Sequence, residues 1–179
     1  KCTRNLALWI EQHGGIPIMW KTGHSFIKGK LKEIGALLAG EMSGHIFFKE
    51  RWYGFDDALY TGARLLEFLS KQSDMNAVLH ALPDAINTPE LQIKLKEGEN
   101  YALVDLLQRE ARFDNPERII TTDGLRVEYR DGFGLIRSSN TTPVLVLRFE
   151  ADNSDALQRI KLDFRRVLKQ FKPDISLPF

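Results

Sequence analysis

Two short stretches of this 179-residue chain combine side-chain types that could bind a small polar ligand. The first, residues 40–48, reads GEMSGHIFF and places Glu41, Ser43 and His45 at every second position. In an extended backbone these three side chains project from the same face. A carboxylate, a hydroxyl and an imidazole on one face could exchange hydrogen bonds with the vicinal hydroxyls of a sugar. The spacing leaves a solvated strand face open as the alternative.

The second stretch, residues 137–149, reads RSSNTTPVLVLRF and has the composition of an anion-binding loop. Arg137 supplies a planar fork of N–H donors, and residues 138–142 add hydroxyl and amide groups. Backbone N–H groups of such a loop can complete a concave phosphate site. The sequence contains neither of the two common glycine-rich phosphate motifs. A polar loop whose side chains satisfy its own backbone is therefore the alternative.

The sequence does not indicate a catalytic triad or a metal site. No acidic residue is placed by the sequence to orient His45. The histidines His24, His45 and His80 and the carboxylate of Glu41 are scattered and lack ligand spacing. His24 opens a predicted helix, where backbone donors could face an anion, although a structural or surface role for this histidine is the alternative. We predict no metal site in this chain.

The bulk composition excludes several classes of function. Hydrophobic residues make up 43% and charged residues 27% of the chain, which is typical of a folded globular protein. The net charge of +1 provides no global field for a polyanion such as DNA. The single cysteine, Cys2, excludes an internal disulfide and favours a reducing compartment. No apolar run could span a bilayer, and no signal peptide is visible. We predict a cytoplasmic protein with no nucleic-acid or membrane partner.

The elements that must position these residues alternate between helix and strand in the first half of the chain, which indicates an α/β layer. Two acidic residues, Asp56 and Asp57, suit the N-terminal end of one of these helices. Its core stripe is predicted to be Leu59, Ala63, Leu66 and Leu69, with Leu65 and Phe68 beside it. Helices are predicted at residues 6–10, 26–34, 56–69 and 75–82, and strands at 16–20, 36–39 and 46–48.

The second half has the pattern of an antiparallel sheet covered on one face by two helices. Residues 91–96 alternate between apolar and polar, as in a strand with one solvated face. Residues 119–129 read as a hairpin around Asp123-Gly124. Ser154–Phe171 is the clearest amphipathic helix of the chain. Further predicted elements are a helix from about residue 100, strands at 134–136 and 144–149, and a polar loop at 137–143.

A boundary is predicted around residues 83–89, which contain two prolines. The predicted domains are residues 1–86, an α/β domain that recognises sugar, and residues 87–179, an α+β domain that binds phosphate.

Read in order, four motifs resemble the C-terminal half of the α-D-phosphohexomutase family, and most closely its bacterial phosphomannomutase/phosphoglucomutase branch. The motifs are KCTRNL, KTGHSFIK, GEMSGHIFFKERWYGFDDALYTGARLLE and RSSNTTPVLVLRFEAD. The similarity runs through nearly the whole chain. Members of this family have four domains around one deep cleft. The resemblance implies a truncated, mixed-sheet α/β third domain followed by a TBP-like fourth domain with four antiparallel strands and two helices.

Three elements of the family are absent from the sequence. They are the loop with the phosphorylated catalytic serine, the acidic loop that binds Mg²⁺, and the strand that precedes Lys1 in the third domain. We therefore expect the chain to be a fragment or to start at a cut within a larger protein. The resemblance implies that Mg²⁺ is bound by the absent N-terminal part, that the N-terminal domains of the same protein are its partners, and that the isolated chain is inactive.

The resemblance also implies roles for individual residues. Glu41 and Ser43 would bind the sugar hydroxyls, and His45 would be a general acid or base near the reacting hydroxyl. Lys1 and His24 would be cleft residues that face the substrate and are further candidates for acid or base. The residues implied to bind the non-transferred phosphate are Arg137, Ser139, Asn140 and Thr141.

The implied reaction is reversible phosphate transfer between O1 and O6 of glucose or mannose, in an isomerase of carbohydrate metabolism. It would pass through a bisphosphorylated intermediate, glucose 1,6-bisphosphate for glucose. One alternative is a stand-alone phosphosugar-binding or regulatory module without catalysis. A nucleic-acid binder that uses Lys94, Lys96 and Arg126 is a second alternative, but the near-zero net charge argues against it.

Overall fold

A computed structural model describes residues 1–179, and its backbone divides into two units. The first unit is Lys1–Asp84 and the second unit is Ala85–Phe179. None of the helices combines the length and the apolar character that crossing a membrane would need.

The first unit contains four helices and one pair of antiparallel strands, so its predicted α/β class is confirmed. The strand pair joins Leu38 to Phe48 and Gly40 to Ile46, and it is the only sheet of this unit. The helices are α1 (Arg4–Gln12), α2 (His24–Ile34), α3 (Ala58–Leu69) and α4 (Met75–His80), and the strands are β1 (Leu38–Gly40) and β2 (Ile46–Phe48).

Local capping explains where these helices begin and end. The Asp57 carboxylate accepts the backbone N–H of Tyr60 at 2.9 Å and so starts α3. The Asp74 carboxylate caps α4 in the same way. Gly35, in the left-handed region with φ of 68°, ends α2. The start of α3 near Asp57 was predicted from the sequence.

Two predictions about the first unit are wrong. Residues 16–20 form no strand, because no neighbouring strand pairs with their backbone. The predicted core stripe of α3 is not buried: Leu59 is 89% exposed and Leu66 is 69% exposed. Periodicity identifies the apolar face of a helix but not what covers it, and in this unit α3 packs mainly against β2.

The second unit is a six-stranded antiparallel sheet with two helices. Four strands were expected. The count rises because two short strands on one edge, β3 and β4, both pair with β8, and a third short strand, β5, forms the other edge. The strands are β3 (Ile86–Asn87), β4 (Leu91–Lys94), β5 (Arg118–Ile120), β6 (Leu125–Tyr129), β7 (Gly132–Ser138) and β8 (Val144–Ala151), and the helices are α5 (Glu99–Glu110) and α6 (Ser154–Phe171).

The core of the second unit lies between this sheet and its two helices. Phe164 of α6 is fully buried and meets Phe149 of β8 edge-on, with ring centroids 5.2 Å apart. At Gly134 of β7 an added Cβ would lie 2.3 Å from the Phe164 ring, so only glycine permits this close approach. The packing fixes β7 and β8, and therefore both ends of the loop that joins them.

Candidate functional site

The sugar motif of the first unit forms the tight turn between β1 and β2. The Glu41 N–H donates to the His45 carbonyl at 2.8 Å, and the Gly44 N–H donates to the Glu41 carbonyl at 3.0 Å. Gly44 has a φ of 93°, which permits the reversal. The expectation of an extended backbone with alternating side chains is therefore wrong, because the turn, and not strand alternation, brings residues 41–45 together.

Glu41 connects this turn to the start of α2. Its Oε2 atom accepts the backbone N–H of Gly23 at 2.8 Å, and Gly23 is the N-cap of α2. Its Oε1 atom is buried and has no hydrogen-bond partner. A buried carboxylate oxygen without a donor is costly, so this atom is suited to a hydroxyl donor from a ligand.

His45 is oriented by an acidic residue that the sequence did not reveal. Its Nδ1 atom lies 2.6 Å from Oδ2 of Asp56. A carboxylate only accepts, so Nδ1 carries the proton and Nε2 of the neutral ring keeps its lone pair. Asp56 was interpreted only as a helix-dipole residue. An isolated backbone bridge between Asp56 and Phe47 of β2 places it beside the turn, and sequence spacing gives no signal for such a bridge.

The other predicted residues of the first unit lie at different distances from this turn. His24, the first residue of α2, approaches His45 with ring centroids 6.3 Å apart. Ser43 is exposed at the tip of the turn. Lys1 is half-buried and precedes α1. The structure thus brings Glu41, His24 and His45 into one group at the β1–β2 turn.

An ion-pair cluster fixes the segment between β2 and α3 that carries Asp56. Arg51 donates from Nη2 to Oε2 of Glu67 at 2.6 Å, and Arg64 pairs with Glu50. The Arg51 guanidinium, and next Lys71, lower the pKa of Glu67 to about 2. The hydrogen bond from Arg64 is the main cause that lowers the pKa of Glu50. These pairs hold α3 against the chain that leads to it.

The predicted phosphate residues of the second unit lie at the β7–β8 connection. Arg137 is part of β7, paired with Val146 of β8, rather than part of the predicted polar loop. The antiparallel pairing extends further than the polar composition suggested, so the loop itself is Ser139–Pro143.

Arg137 is buried and partly engaged by other side chains. Its Nε donates to Oδ2 of Asp123 at 3.0 Å, and its Nη2 lies 3.4 Å from Oδ1 of Asp123 and 3.4 Å from Oδ1 of Asn140. Its Nη1 makes no hydrogen bond within the chain. The guanidinium therefore keeps one edge for an external acceptor.

The hydroxyl groups of the Ser139–Pro143 loop bond largely to one another. The Thr141 N–H donates to Ser139 Oγ at 3.3 Å, and the Thr142 hydroxyl donates to the same atom at 3.0 Å. This is the self-satisfied loop that the composition left open as an alternative. Asn140 and Thr141 are nevertheless exposed, so their side chains are accessible to an anion.

Helix α5 supports the loop from the side. The Tyr101 hydroxyl donates to the Ser139 carbonyl at 3.1 Å, and the Ser138 hydroxyl donates to the Asn100 carbonyl at 2.9 Å. Further along α5, the Gln108 amide donates to the Gly124 carbonyl at 2.6 Å. The helix thus contacts both the loop and the turn that carries Asp123.

Comparison with known proteins bears directly on these two groups of residues. Residues 1–86 match the family model "Phosphoglucomutase/phosphomannomutase, alpha/beta/alpha domain III", and residues 90–167 match the model of the C-terminal domain of the same enzymes. This chain belongs to the phosphoglucomutase/phosphomannomutase family. The family resemblance read from the sequence is therefore confirmed.

Curated relatives of the family are similar over the full chain. It is 59% identical over 179 residues to a phosphoglucomutase of Neisseria meningitidis serogroup A, covering 99% of this chain and 39% of that protein. It is 56% identical over 180 residues to a phosphomannomutase/phosphoglucomutase of Pseudomonas aeruginosa, covering 100% and 39%. The chain thus spans about two fifths of the length of these relatives and corresponds to their C-terminal part.

A solved structure supports the fold. The crystal structure of a phosphoglucomutase/phosphomannomutase family protein from Burkholderia thailandensis superposes with a TM-score of 0.93 at 62% identity, covering 99% of this chain and 38% of that one. The predicted fold class is confirmed by this similarity and by the two domain models.

Proposed function

We propose that this chain is the substrate-recognition part of a phosphohexomutase, which interconverts hexose 1-phosphate and hexose 6-phosphate with glucose or mannose as the sugar. The observation that carries the proposal is the β1–β2 turn, where an unpaired carboxylate oxygen of Glu41 lies in the same turn as an imidazole oriented by Asp56. Family membership supports the reaction type. The activity belongs to the longer protein, and recognition of the substrate belongs to this chain.

Glu41 and Ser43 recognise the sugar hydroxyls. The Oε1 atom of Glu41 lacks a donor, and a sugar hydroxyl would supply one while removing the cost of the unpaired oxygen. The exposed hydroxyl of Ser43 can both donate and accept. Since glucose and mannose share the hydroxyls at C3 and C4, such contacts are compatible with both sugars.

His45 exchanges the proton of the reacting hydroxyl. With Nδ1 bonded to Asp56, the lone pair of Nε2 can accept the hydroxyl proton as the oxygen attacks phosphorus, and Nε2–H can return it to the leaving oxygen in the reverse reaction. His24 lies close enough to contact the same ligand, and Lys1 is a further cleft residue. Asp56 positions His45 and does not touch the sugar.

Arg137 and the Ser139–Pro143 loop bind the phosphate that is not transferred. The unbonded Nη1 of Arg137 supplies a charged donor. Ser139, Asn140 and Thr141 add hydroxyl and amide groups at the same end of β7. Binding of this phosphate would help to exclude water from the transferring group.

The remaining chemistry requires groups that this chain does not supply. No cluster of three or more His, Cys, Asp or Glu side chains in the chain could hold a metal ion, so none of its residues is assigned to Mg²⁺. The phosphoserine that donates phosphate, the Mg²⁺ site, and the steps that form and consume glucose 1,6-bisphosphate would belong to the N-terminal domains. The isolated chain is accordingly expected to bind phosphosugar without turning it over.

A chimera tests this function. The chain replaces the matching C-terminal segment of the Neisseria meningitidis phosphoglucomutase, to which it is 59% identical. Conversion of glucose 1-phosphate to glucose 6-phosphate is then measured with Mg²⁺ present. An active chimera that loses activity on Glu41→Gln supports the proposal. A chimera that folds and stays inactive at saturating substrate contradicts catalysis and favours a binding module without an enzymatic role.

A further inference from the structure

The acidic turn between β5 and β6 lies against the proposed phosphate site and has no role in the function described so far. Asp123 contacts Arg137 through two guanidinium nitrogens, Nε at 3.0 Å and Nη2 at 3.4 Å. The side chain of Arg137 is 5% exposed and that of Asp123 is 25% exposed. This side-on geometry fixes the plane of the guanidinium and leaves Nη1 as its unbonded nitrogen.

The turn that carries Asp123 is itself fixed on two sides. Gly124 has a φ of 82°, and an added Cβ would lie 2.4 Å from the Ile136 carbonyl oxygen and 2.6 Å from Cβ of Arg137. Only glycine therefore allows the turn to lie this close to β7. From the other side, the Gln108 amide of α5 donates to the Gly124 carbonyl at 2.6 Å and lies 3.4 Å from the Thr121 carbonyl.

We infer that Asp123 is a positioning residue for the proposed phosphate site, supported through its turn by Gln108 of α5. On the basis of the proposed function, Asp123 holds Arg137 in one orientation, in which Nη1 faces the phosphate of a hexose phosphate. A flexible arginine loses side-chain entropy when it binds. Here Asp123 fixes the rotamer of Arg137 before the ligand binds, so phosphate binding costs less side-chain entropy.

The carboxylate has a second effect that opposes the first. Its negative charge neutralises the guanidinium and by itself weakens attraction for an anion. The two effects predict opposite results when Asp123 is removed. Positioning predicts weaker phosphate binding, because a buried guanidinium without its partner is free to rotate away. Charge competition predicts tighter binding. Replacing Gln108 distinguishes the positioning effect from the charge effect, because it loosens the turn that carries Asp123 without changing any charge.

The experiment measures binding of inorganic phosphate to the ¹⁵N-labelled full chain by NMR. The Kd is taken from the backbone amide signals of Ser139, Asn140 and Thr141, and the Nε–Hε signal of Arg137 reports its orientation. We expect Asp123→Ala to raise the Kd about tenfold and to remove the slowly exchanging Nε–Hε signal. Asp123→Asn, which keeps an acceptor oxygen, and Gln108→Leu should each raise the Kd about threefold.

Asp131→Ala is the matched control. Asp131 lies in the same unit and pairs with a surface arginine, Arg159, so its removal changes the net charge equally and should leave the phosphate Kd unchanged. Unchanged or tighter binding in both Asp123→Ala and Gln108→Leu would overturn the positioning role while leaving the phosphate site intact. If phosphate shifts no loop signal in the unsubstituted chain, or if Arg137→Ala binds equally well, the proposed phosphate site itself fails.

Discussion

The hydrogen bond between His45 and Asp56 permits a quantitative test of the proton-transfer role. Asp56→Asn keeps the shape of the side chain but allows its amide N–H to face Nδ1. The neutral imidazole would then carry its proton on Nε2 and lose the lone pair that accepts the hydroxyl proton. The substitution therefore changes the protonation pattern of His45 rather than the shape of the site.

The expected magnitude follows from the exposure of the pair. A hydrogen bond to a charged group contributes about 1.5–3 kcal/mol. The side chains of His45 and Asp56 are 48% and 35% exposed, so solvent screening reduces this to about 1–1.5 kcal/mol. Since about 1.4 kcal/mol corresponds to a factor of ten in rate, we expect kcat to fall about tenfold. KM should change little, because Asp56 bonds to His45 and is not one of the proposed sugar-binding residues.

The assay is the steady-state conversion of glucose 1-phosphate by the chimera. Asp74→Asn is the matched control: the Asp74 carboxylate caps α4 by accepting the Ala77 N–H, and asparagine is an equally good cap. His45→Ala should lower kcat more strongly, by about a hundredfold. An Asp56→Asn variant with unchanged kcat, or with a raised KM alone, would refute the argument that Asp56 sets the protonation of His45.

Three further predictions concern binding and stability. Arg137→Ala should weaken glucose 6-phosphate binding by about 1.5–3 kcal/mol, measured by calorimetry; equal affinity would remove Arg137 from the site. Arg51 lowers the pKa of Glu67 to about 2, so the ion pairs of Glu67 stabilise the first unit fully above pH 4.5 and progressively less as the pH falls toward 2. The free energy of unfolding of Glu67→Gln, measured by denaturation followed by circular dichroism, should therefore depend less on pH across that window. A pH profile equal to that of the unsubstituted chain would contradict this. The Tyr129 hydroxyl donates to Asp163 at 2.7 Å, and burial raises the pKa of Tyr129. Tyr129→Phe should lower the free energy of unfolding by about 1.5–3 kcal/mol at pH 7 and reduce the loss of stability above about pH 10. Unfolding curves that match those of the unsubstituted chain would refute this.

Features with a local cause were predictable from the sequence. Asp57 and Gly35 mark helix ends because a cap or a left-handed residue acts within one turn of chain. The helix Ser154–Phe171 was predicted with its observed bounds, because its apolar face is continuous and is buried within its own unit. The family, too, could be identified from motif order.

Features that depend on distant packing were not predictable. The apolar face of α3 was identified, but its exposure, 89% at Leu59, depends on what lies against it. Asp56 bonds to His45, and Asp123 bonds to Arg137. In each pair a whole strand separates the two residues in the sequence, so neither helix nor strand periodicity predicts the contact. The turn at residues 41–45 was missed because alternating polar residues fit a strand and a tight turn equally well.

The most direct test of substrate recognition is a titration of the ¹⁵N-labelled chain with glucose 6-phosphate, with inorganic phosphate and glucose as comparison ligands. We expect glucose 6-phosphate to shift the amide signals of both residues 40–45 and residues 138–141, and inorganic phosphate to shift only those of residues 138–141. Glu41→Gln should then reduce the shifts at residues 40–45. A titration in which glucose 6-phosphate leaves residues 40–45 unchanged, or gives the same shifts as inorganic phosphate, would contradict sugar recognition by this chain.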